Sequence, residues 1–368
     1  MNFHRSTPRQ PAINALARRN MTASPQPAPI GVPLSEKELC PEDLLAGQEE
    51  AFARDMARLQ ARRSEFVAVN CPACDDHAFR HAFAKFGFDY VTCALCGTLY
   101  MNPRPSPEIM AGYYANSENY AYWAKHIFPA SEAARREKIF QPWLERVIGY
   151  CERHGIARGT LVEIGPGFGT FAALAEISGA FGRVLAVEPT PEMAAACRAH
   201  GITVIEKRIE DIGDELGAID VIVSFEVIEH LFAPRLFLDQ CARLLRPGGL
   251  LVLSCPNGQG FDVALLDEKA LAIDAEHVNL FNPRSLSRLV ASHGFAPLEV
   301  TTPGRLDAEF VRDAALNGNI ALDAFLRRVL LDDWEALGWK FQQFLAQNGL
   351  SSHMWLAARR LPVVTSGT

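Results

Sequence analysis

No run of 18 apolar residues occurs in this chain, so no membrane span is expected. Cysteine is sparse, with nine in 368 residues. Four form two close pairs, while Cys40, Cys151, Cys197, Cys241 and Cys255 are scattered. That pattern excludes a disulfide-stapled scaffold and points to a reducing, cytoplasmic setting. Basic charge is also short: 36 Lys and Arg face 43 Asp and Glu, for a net charge of −7. This balance argues against a protein that lives on nucleic-acid phosphate. There is no internal repeat and no coiled-coil heptad. Acidic residues are missing before Glu36, where Arg5, Arg9, Arg18, Arg19 and recurrent prolines gather instead. An acid-poor, arginine-containing start can mimic an organellar transit peptide. The composition favours a disordered extension over residues 1–35, with Met21 as an alternative start.

What is present begins with 49% hydrophobic residues, ample for a core and, at this length, for more than one domain. Residues 36–104 read as a helix plus a ribbon. Leu45, Phe52, Met56 and Leu59 have helical spacing within 41–63. Cys71-Pro-Ala-Cys74 and Cys93-Ala-Leu-Cys96 then form two C-x2-C knuckles, and each knuckle can bring two thiolates to one tetrahedral ion. Together they predict a four-cysteine zinc ribbon, with Phe86–Thr92 as a strand entering the second knuckle. A closed four-thiolate site has no open position, so a folding role is expected. Residues 105–145 read as an aromatic helical linker or cap. Tyr113, Tyr114, Tyr120, Tyr122 and Trp123 either line an acceptor pocket or pack the ribbon onto its neighbour. Arg135, Arg136 and Lys138 are either an anion site or a solvated helix face.

Residues 146–303 alternate between apolar strands (160–164, 183–187, 203–205, 219–224, 249–255) and helices (169–179, 191–200, 234–245, 284–293). This predicts an α/β doubly wound parallel sheet. Residues 297–303 and 352–360 add two strands, and 304–368 supplies a helical insertion and the closing strand. The first strand runs out through Glu163-Ile-Gly165-Pro-Gly167-Phe-Gly169 into a helix. Glycines there let backbone come close to a ligand, and a carboxylate beside them suits a ligand with a positive end. Glu188 ends the second strand, where it can grip ribose hydroxyls. Glu210-Asp211 follows the third strand and can meet an adenine amino group. Phe225-Glu226-Val-Ile-Glu229-His230 ends the fourth, and Arg246-Pro-Gly-Gly turns into the fifth.

In order, these motifs resemble the class I S-adenosylmethionine-dependent methyltransferases over about residues 145–300. The resemblance implies a Rossmann-like fold with a mostly parallel seven-stranded sheet. It also implies S-adenosylmethionine contacts at Glu163, Gly165, Gly167, Gly169, Glu188, Asp211 or Glu210, Phe225 and Glu226. With the ribbon at Cys71, Cys74, Cys93 and Cys96 and the Asn102-Pro-Arg-Pro-Ser segment, the chain is similar to a bacterial subgroup that works on sugars, glycans and secondary metabolites. The E-V-x-E-H stretch is also similar to that of quinone-biosynthesis O-methyltransferases, which implies a divalent ion at Glu226, Glu229 and His230 as a further reading.

Methyl transfer asks the protein for proximity, a dry site and, for an oxygen or carbon nucleophile, a general base. His230 and His277 are the candidates, with His353 a weaker one. The expected acceptor is a small molecule such as a sugar or glycan precursor. Two rivals stand beside it. One is an RNA methyltransferase that uses the ribbon to bind RNA, disfavoured because only Arg80 and Lys85 lie between the knuckles. The other is a non-catalytic scaffold. The 305–350 helices serve as a lid or as the contact of a homodimer.

Overall fold

The computed structural model describes residues 32–362. Leu34 is buried, and Val32 and Leu34 wall the central cavity. Part of the expected extension over 1–35 therefore belongs to the folded body, and the rest of that expectation lies outside the described residues. The helix Glu42–Ala61 buries Ala51, Met56 and Leu59 on one stripe. Its buried Asp55 accepts from Ser117 Oγ (2.6 Å) and from the Glu118 and Asn119 amides (3.0 and 2.9 Å). That carboxylate caps the orphan N–H groups of the helix Glu118–Tyr122.

The ribbon hairpin pairs β1 (Phe79–Lys85) with β2 (Phe88–Cys93). Phe86 and Gly87 turn the corner with φ of 53° and 78°. β3 (Leu99–Met101) lies antiparallel on β2. The main sheet contains β4 (Thr160–Ile164), β5 (Arg183–Val187), β6 (Thr203–Ile205), β7 (Ile219–Phe225) and β8 (Leu245–Pro256). A two-residue strand, β9 (Asn279–Leu280), then leaves the main domain and completes the ribbon sheet against β3. The ribbon is thus stitched into the fold. Last come β10 (Phe295–Thr301) and β11 (His353–Arg360). β8 starts earlier than expected because Arg-Pro-Gly-Gly is drawn into the strand, with a register shift opposite Ile219–Val221.

The main sheet runs β10-β11-β8-β7-β4-β5-β6. Its four central pairings, from β8 to β6, are parallel, and β11 closes it antiparallel to both β8 and β10. Chain order reverses between β4 and β7, and in such sheets the crevice outside the carboxyl ends at that point takes the ligand. One face is covered by helices Pro234–Leu244 and Pro283–Ser292 and by ribbon residues Cys71, Val91 and Tyr100. The other is covered by Gln141–His154, Thr170–Ile177 and Pro191–Ala199. A third core joins Met56, Phe88, Met110 and Val263 to Val329 and Leu330 of the late insertion. Above the crevice, the arm from Glu118 to His154 makes two wide π-type turns, Trp123–Ile127 and Arg136–Phe140, and lays Trp123, Phe128, Phe140 and Trp143 on the cavity. No helix among the described residues is long and apolar enough to cross a membrane.

Candidate active site

A cavity of about 1450 Å³ opens at the carboxyl edge of the sheet. The glycine turn forms one wall. Gly165, Gly167 and Gly169 have φ of 70°, 54° and 81°, so the turn needs glycine on conformational grounds alone. A Cβ on Gly167 would meet nothing within 4 Å, which leaves its backbone bare to the cavity. Gly169 differs from the expectation. It does not line the cavity, and a Cβ there would sit 2.9 Å from Cys197 Sγ and 3.1 Å from Cys197 Cα. Its role is close helix packing.

Glu163, at the end of β4, is 3% exposed and lines the cavity, and its Oε2 has no partner. Burial raises its carboxyl to about 8, against a smaller opposing pull from the Ala172 backbone. A buried carboxyl oxygen left bare on a cavity wall fits a ligand that brings a cation or a donor. Glu188 follows β5 on the same wall, with Oε1 accepting from the Thr190 amide at 2.8 Å. Burial raises its carboxyl too, more than the Thr190 bonds lower it. Phe225 lines the site and packs among Trp143, Phe171 and Trp355, with ring centroids 4.7, 4.9 and 5.4 Å away. The expected adenine contact is not where Glu210 and Asp211 lie. Neither lines the cavity, and Asp211 faces outward, ion-paired to Arg208 at 2.9 Å. The short turn Ile209–Asp211 buries Ile209 and turns Asp211 to solvent.

Glu226 follows β7 with a φ of 53°, strained for a residue with a side chain. Its Oε1 accepts from Ser254 Oγ (2.6 Å) and faces His353 Nε2 (3.0 Å). Burial alone would push this carboxyl up, but His353 and Ser254 outweigh it and hold it below the usual range. His230 and His277 meet edge to face at 4.8 Å. His230 lines the cavity and His277 does not. His230 Nδ1 lies 3.3 Å from the Tyr114 hydroxyl, and its Nε2 is 3.9 Å from Glu229 Oε1. Burial and then the neighbouring His277 push His230 down to about 3, so its ring is neutral. Burial also works against the charged form of His277, but Asp274 and the Ala272 carbonyl at 2.9 Å overcome it and raise that ring. Glu229 is fully buried with neither carboxyl oxygen partnered, and burial pushes it well above the usual range.

Glu229, His230 and His277 bring one ligand atom each to within 4.8 Å of one another. The trio expected for a divalent ion included Glu226; the structure turns Glu226 toward Ser254 and His353 and puts His277 in its place. The four knuckle cysteines gather equally closely, with the Cys71–Cys96 and Cys74–Cys93 sulfurs 3.5 Å apart. A tetrahedral zinc with bonds of about 2.3 Å needs sulfurs roughly 3.8 Å apart, so the donor set fits.

Several wall residues carried no sequence signal. Asp262 is buried with Oδ1 unpartnered, and burial and Asp307 push it to about 7. Ser352 Oγ is buried without a partner beside it on the wall. Both come from stretches without a motif. In the tyrosine segment, Tyr114 and Tyr120 line the cavity, while Tyr113 and Tyr120 donate to Glu276 at 2.6 and 2.7 Å. Of the basic cluster, Arg135 and Lys138 reach the cavity wall, where Arg135 bonds the Leu39 carbonyl at 3.0 Å and Lys138 pairs with Glu38.

The strand order, the closing antiparallel hairpin and the glycine turn at the switch point define a class I S-adenosylmethionine-dependent methyltransferase fold. The model of the methyltransferase domain family matches residues 133–300. A probable S-adenosylmethionine-dependent methyltransferase of Mycobacterium tuberculosis is 30% identical over 151 residues, 40% of this chain and 53% of that protein. A ubiquinone biosynthesis O-methyltransferase of Xanthomonas oryzae is 29% identical over 139 residues, 36% of this chain and 55% of that protein. The chain spans about half the length of the curated relatives it matches. A methyltransferase from Clostridium acetobutylicum superposes with a TM-score of 0.43 at 10% identity, covering 66% of this chain and 99% of that one.

Proposed function

We propose that the protein transfers a methyl group from S-adenosylmethionine to a hydroxyl or carbon of a small polyhydroxylated acceptor, a sugar or glycan precursor. The observation that carries this is the pairing of two unlike walls around one cavity. Glu163, bare Gly167 and Glu188 form a wall suited to a cationic, ribose-bearing ligand, and neutral His230 faces the same space. At about 1450 Å³ the cavity exceeds the roughly 300–1,000 Å³ of a single-ligand site and has room for a second small molecule. When bound, S-adenosylmethionine supplies an activated methyl. The chain's own part is to orient the acceptor, exclude water and take a proton. His230, deprotonated at neutral pH and held by Tyr114, is the base, with His277 behind it. Glu226, Asp262 and Ser352 offer acceptors and a hydroxyl suited to substrate hydroxyls. The O-methyltransferase relative supports an oxygen acceptor. The four cysteines hold a structural zinc.

Calorimetry with S-adenosylmethionine on the zinc-loaded chain tests the cofactor half. Methyl-labelled cofactor added to a host extract, read by mass spectrometry, tests the acceptor half. Binding followed by a labelled small molecule, lost in His230→Ala, is the expected result. Absence of cofactor binding by the folded protein refutes the proposal, and label found only in RNA refutes the acceptor class.

A further inference from the structure

We infer that the four-cysteine ribbon is a brace for the loop that carries His230, acting through Arg104 and Asn279 as positioning residues; this rests on His230 facing the reaction. The loop from Glu226 to Phe232 has few bonds of its own, namely His230 N to the Val227 carbonyl (3.0 Å) and Leu231 N to the Ile228 carbonyl (3.4 Å). Two side chains from elsewhere hold four of its carbonyls. The Asn279 amide nitrogen reaches the carbonyls of Leu231 (2.7 Å), Ile228 (3.2 Å) and Glu229 (3.3 Å). The Asn279 backbone N–H donates to the Glu229 carbonyl at 3.0 Å. Arg104 donates to the Asn279 side-chain oxygen at 2.6 Å and to the Phe232 carbonyl at 2.7 Å, and its guanidinium lies over the Phe232 ring.

Arg104 is an expensive choice for packing alone. It is 3% exposed and has no carboxylate within ion-pair distance among the described residues, so its hydrogen bonds go to two carbonyl-type oxygens and its face to an aromatic ring. The planar fork of donors fits two acceptors at fixed angles, which a lysine cannot match. Its own backbone is clamped to Val67 by a pair of bonds at 2.8 and 3.0 Å. The line back to the cysteine cluster is short and stiff. β3 begins just after Cys96, and it pairs Tyr100 with Asn279. Met101 N reaches the Val278 carbonyl. His277 precedes Asn279 by two residues, so one strut sets both rings of the histidine pair. The ribbon's place in the enzyme is then to fix the angle of His230 over the cavity.

The test uses the full-length, zinc-loaded chain. Asn279→Asp keeps an acceptor for Arg104 but removes the side-chain donors to the loop, and Arg104→Lys keeps the charge but loses the fork. Asn282→Ala removes another ribbon contact without touching the loop and serves as the control. Amide exchange of residues 226–232 is followed by mass spectrometry, the ring signals of His230 by 15N-histidine NMR, and S-adenosylhomocysteine affinity by calorimetry. Asn279→Asp is expected to speed exchange in 228–232 about tenfold and to shift the His230 ring signals, with affinity held within about twofold. Arg104→Lys should do the same more weakly, and it decides the matter if Asn279→Asp does not fold. Unchanged loop exchange and unchanged ring signals, or changes equal to those in Asn282→Ala, overturn the brace. If the wild type fails to bind S-adenosylhomocysteine, the methyltransferase reading falls while the exchange and ring data still judge the brace.

Discussion

Cofactor binding should release a proton, and Glu163 should be its source. In the ligand-free site burial raises this carboxyl to about 8, and its Oε2 has no partner. With a titration point near 8, roughly nine in ten molecules hold the proton at pH 7. A ligand bearing an ammonium and a sulfonium rewards the ionised form, since an opposite charge within a few ångströms pulls a carboxyl down by about 1–3 units. Binding at pH 7 should then release about 0.4 to 0.9 of a proton, the larger figure for the larger pull. Affinity should rise by roughly three- to eightfold per pH unit near pH 7 and flatten above the pH where the free carboxyl ionises. Titration calorimetry at one pH in two buffers of different ionisation enthalpy counts that proton directly. Glu163→Gln, similar in shape but without the titration, should bind more weakly and show no release. The reasoning is refuted by a buffer-independent binding heat at pH 7, or by the same proton count in Glu163→Gln.

Glu188→Ala removes a buried carboxylate whose remaining oxygen is free for ribose hydroxyls. One or two charge-assisted hydrogen bonds, about 2–3 kcal/mol, give a loss of roughly 30- to 150-fold in cofactor affinity by calorimetry; unchanged affinity in a folded variant refutes the assignment. Gly169→Ala should cost roughly 2–4 kcal/mol in urea unfolding with little change in cofactor affinity, through strain at φ 81° and the clash with Cys197, whereas Gly167→Ala should cost about 1 kcal/mol and weaken cofactor binding at least tenfold; the reverse ranking counts against the turn geometry. Elemental analysis should find one zinc per chain, lost with Cys93→Ser, and a chelator should loosen residues 226–232 along with the ribbon; a metal-free native chain refutes the zinc site. Glu276, raised to about 7 chiefly by burial, binds its proton more tightly folded than unfolded, so its contribution to stability is present at low pH and lost as pH rises from about 4.5 through 7; Glu276→Gln should flatten that slope in thermal melts, and an unchanged slope refutes the burial argument.

The sheet was legible because its strands are apolar runs at regular intervals. Leu161–Ile164 and Ile219–Phe225 are buried on both faces and read as such in one dimension. The wall of Glu163, Gly167 and Glu188 was legible for a related reason: each residue ends a strand or a turn, and the carboxyl edge is where such residues must gather. The same logic does not reach residues whose role depends on distant partners. Glu210 and Asp211 also follow a strand, but Arg208, three residues earlier, captures Asp211 locally and the buried Ile209 fixes the turn. Gly169 belongs to the motif by spacing, yet its neighbour is Cys197 on another helix. Asp262 and Ser352 become polar groups without partners only when the chain brings them to one wall.

The ribbon is the sharpest case. Its cysteine spacing is explicit, and spacing alone describes a module that folds around its own ion. What binds it to the active site is β9, two residues long, and no periodicity can be read from two residues. With β9 short, one asparagine is enough to hold the carbonyls of Ile228, Glu229 and Leu231 at once, and Arg104 fixes that asparagine from the far side. The segment that carries no pattern is therefore the one that ties the four-cysteine hairpin to the loop of His230.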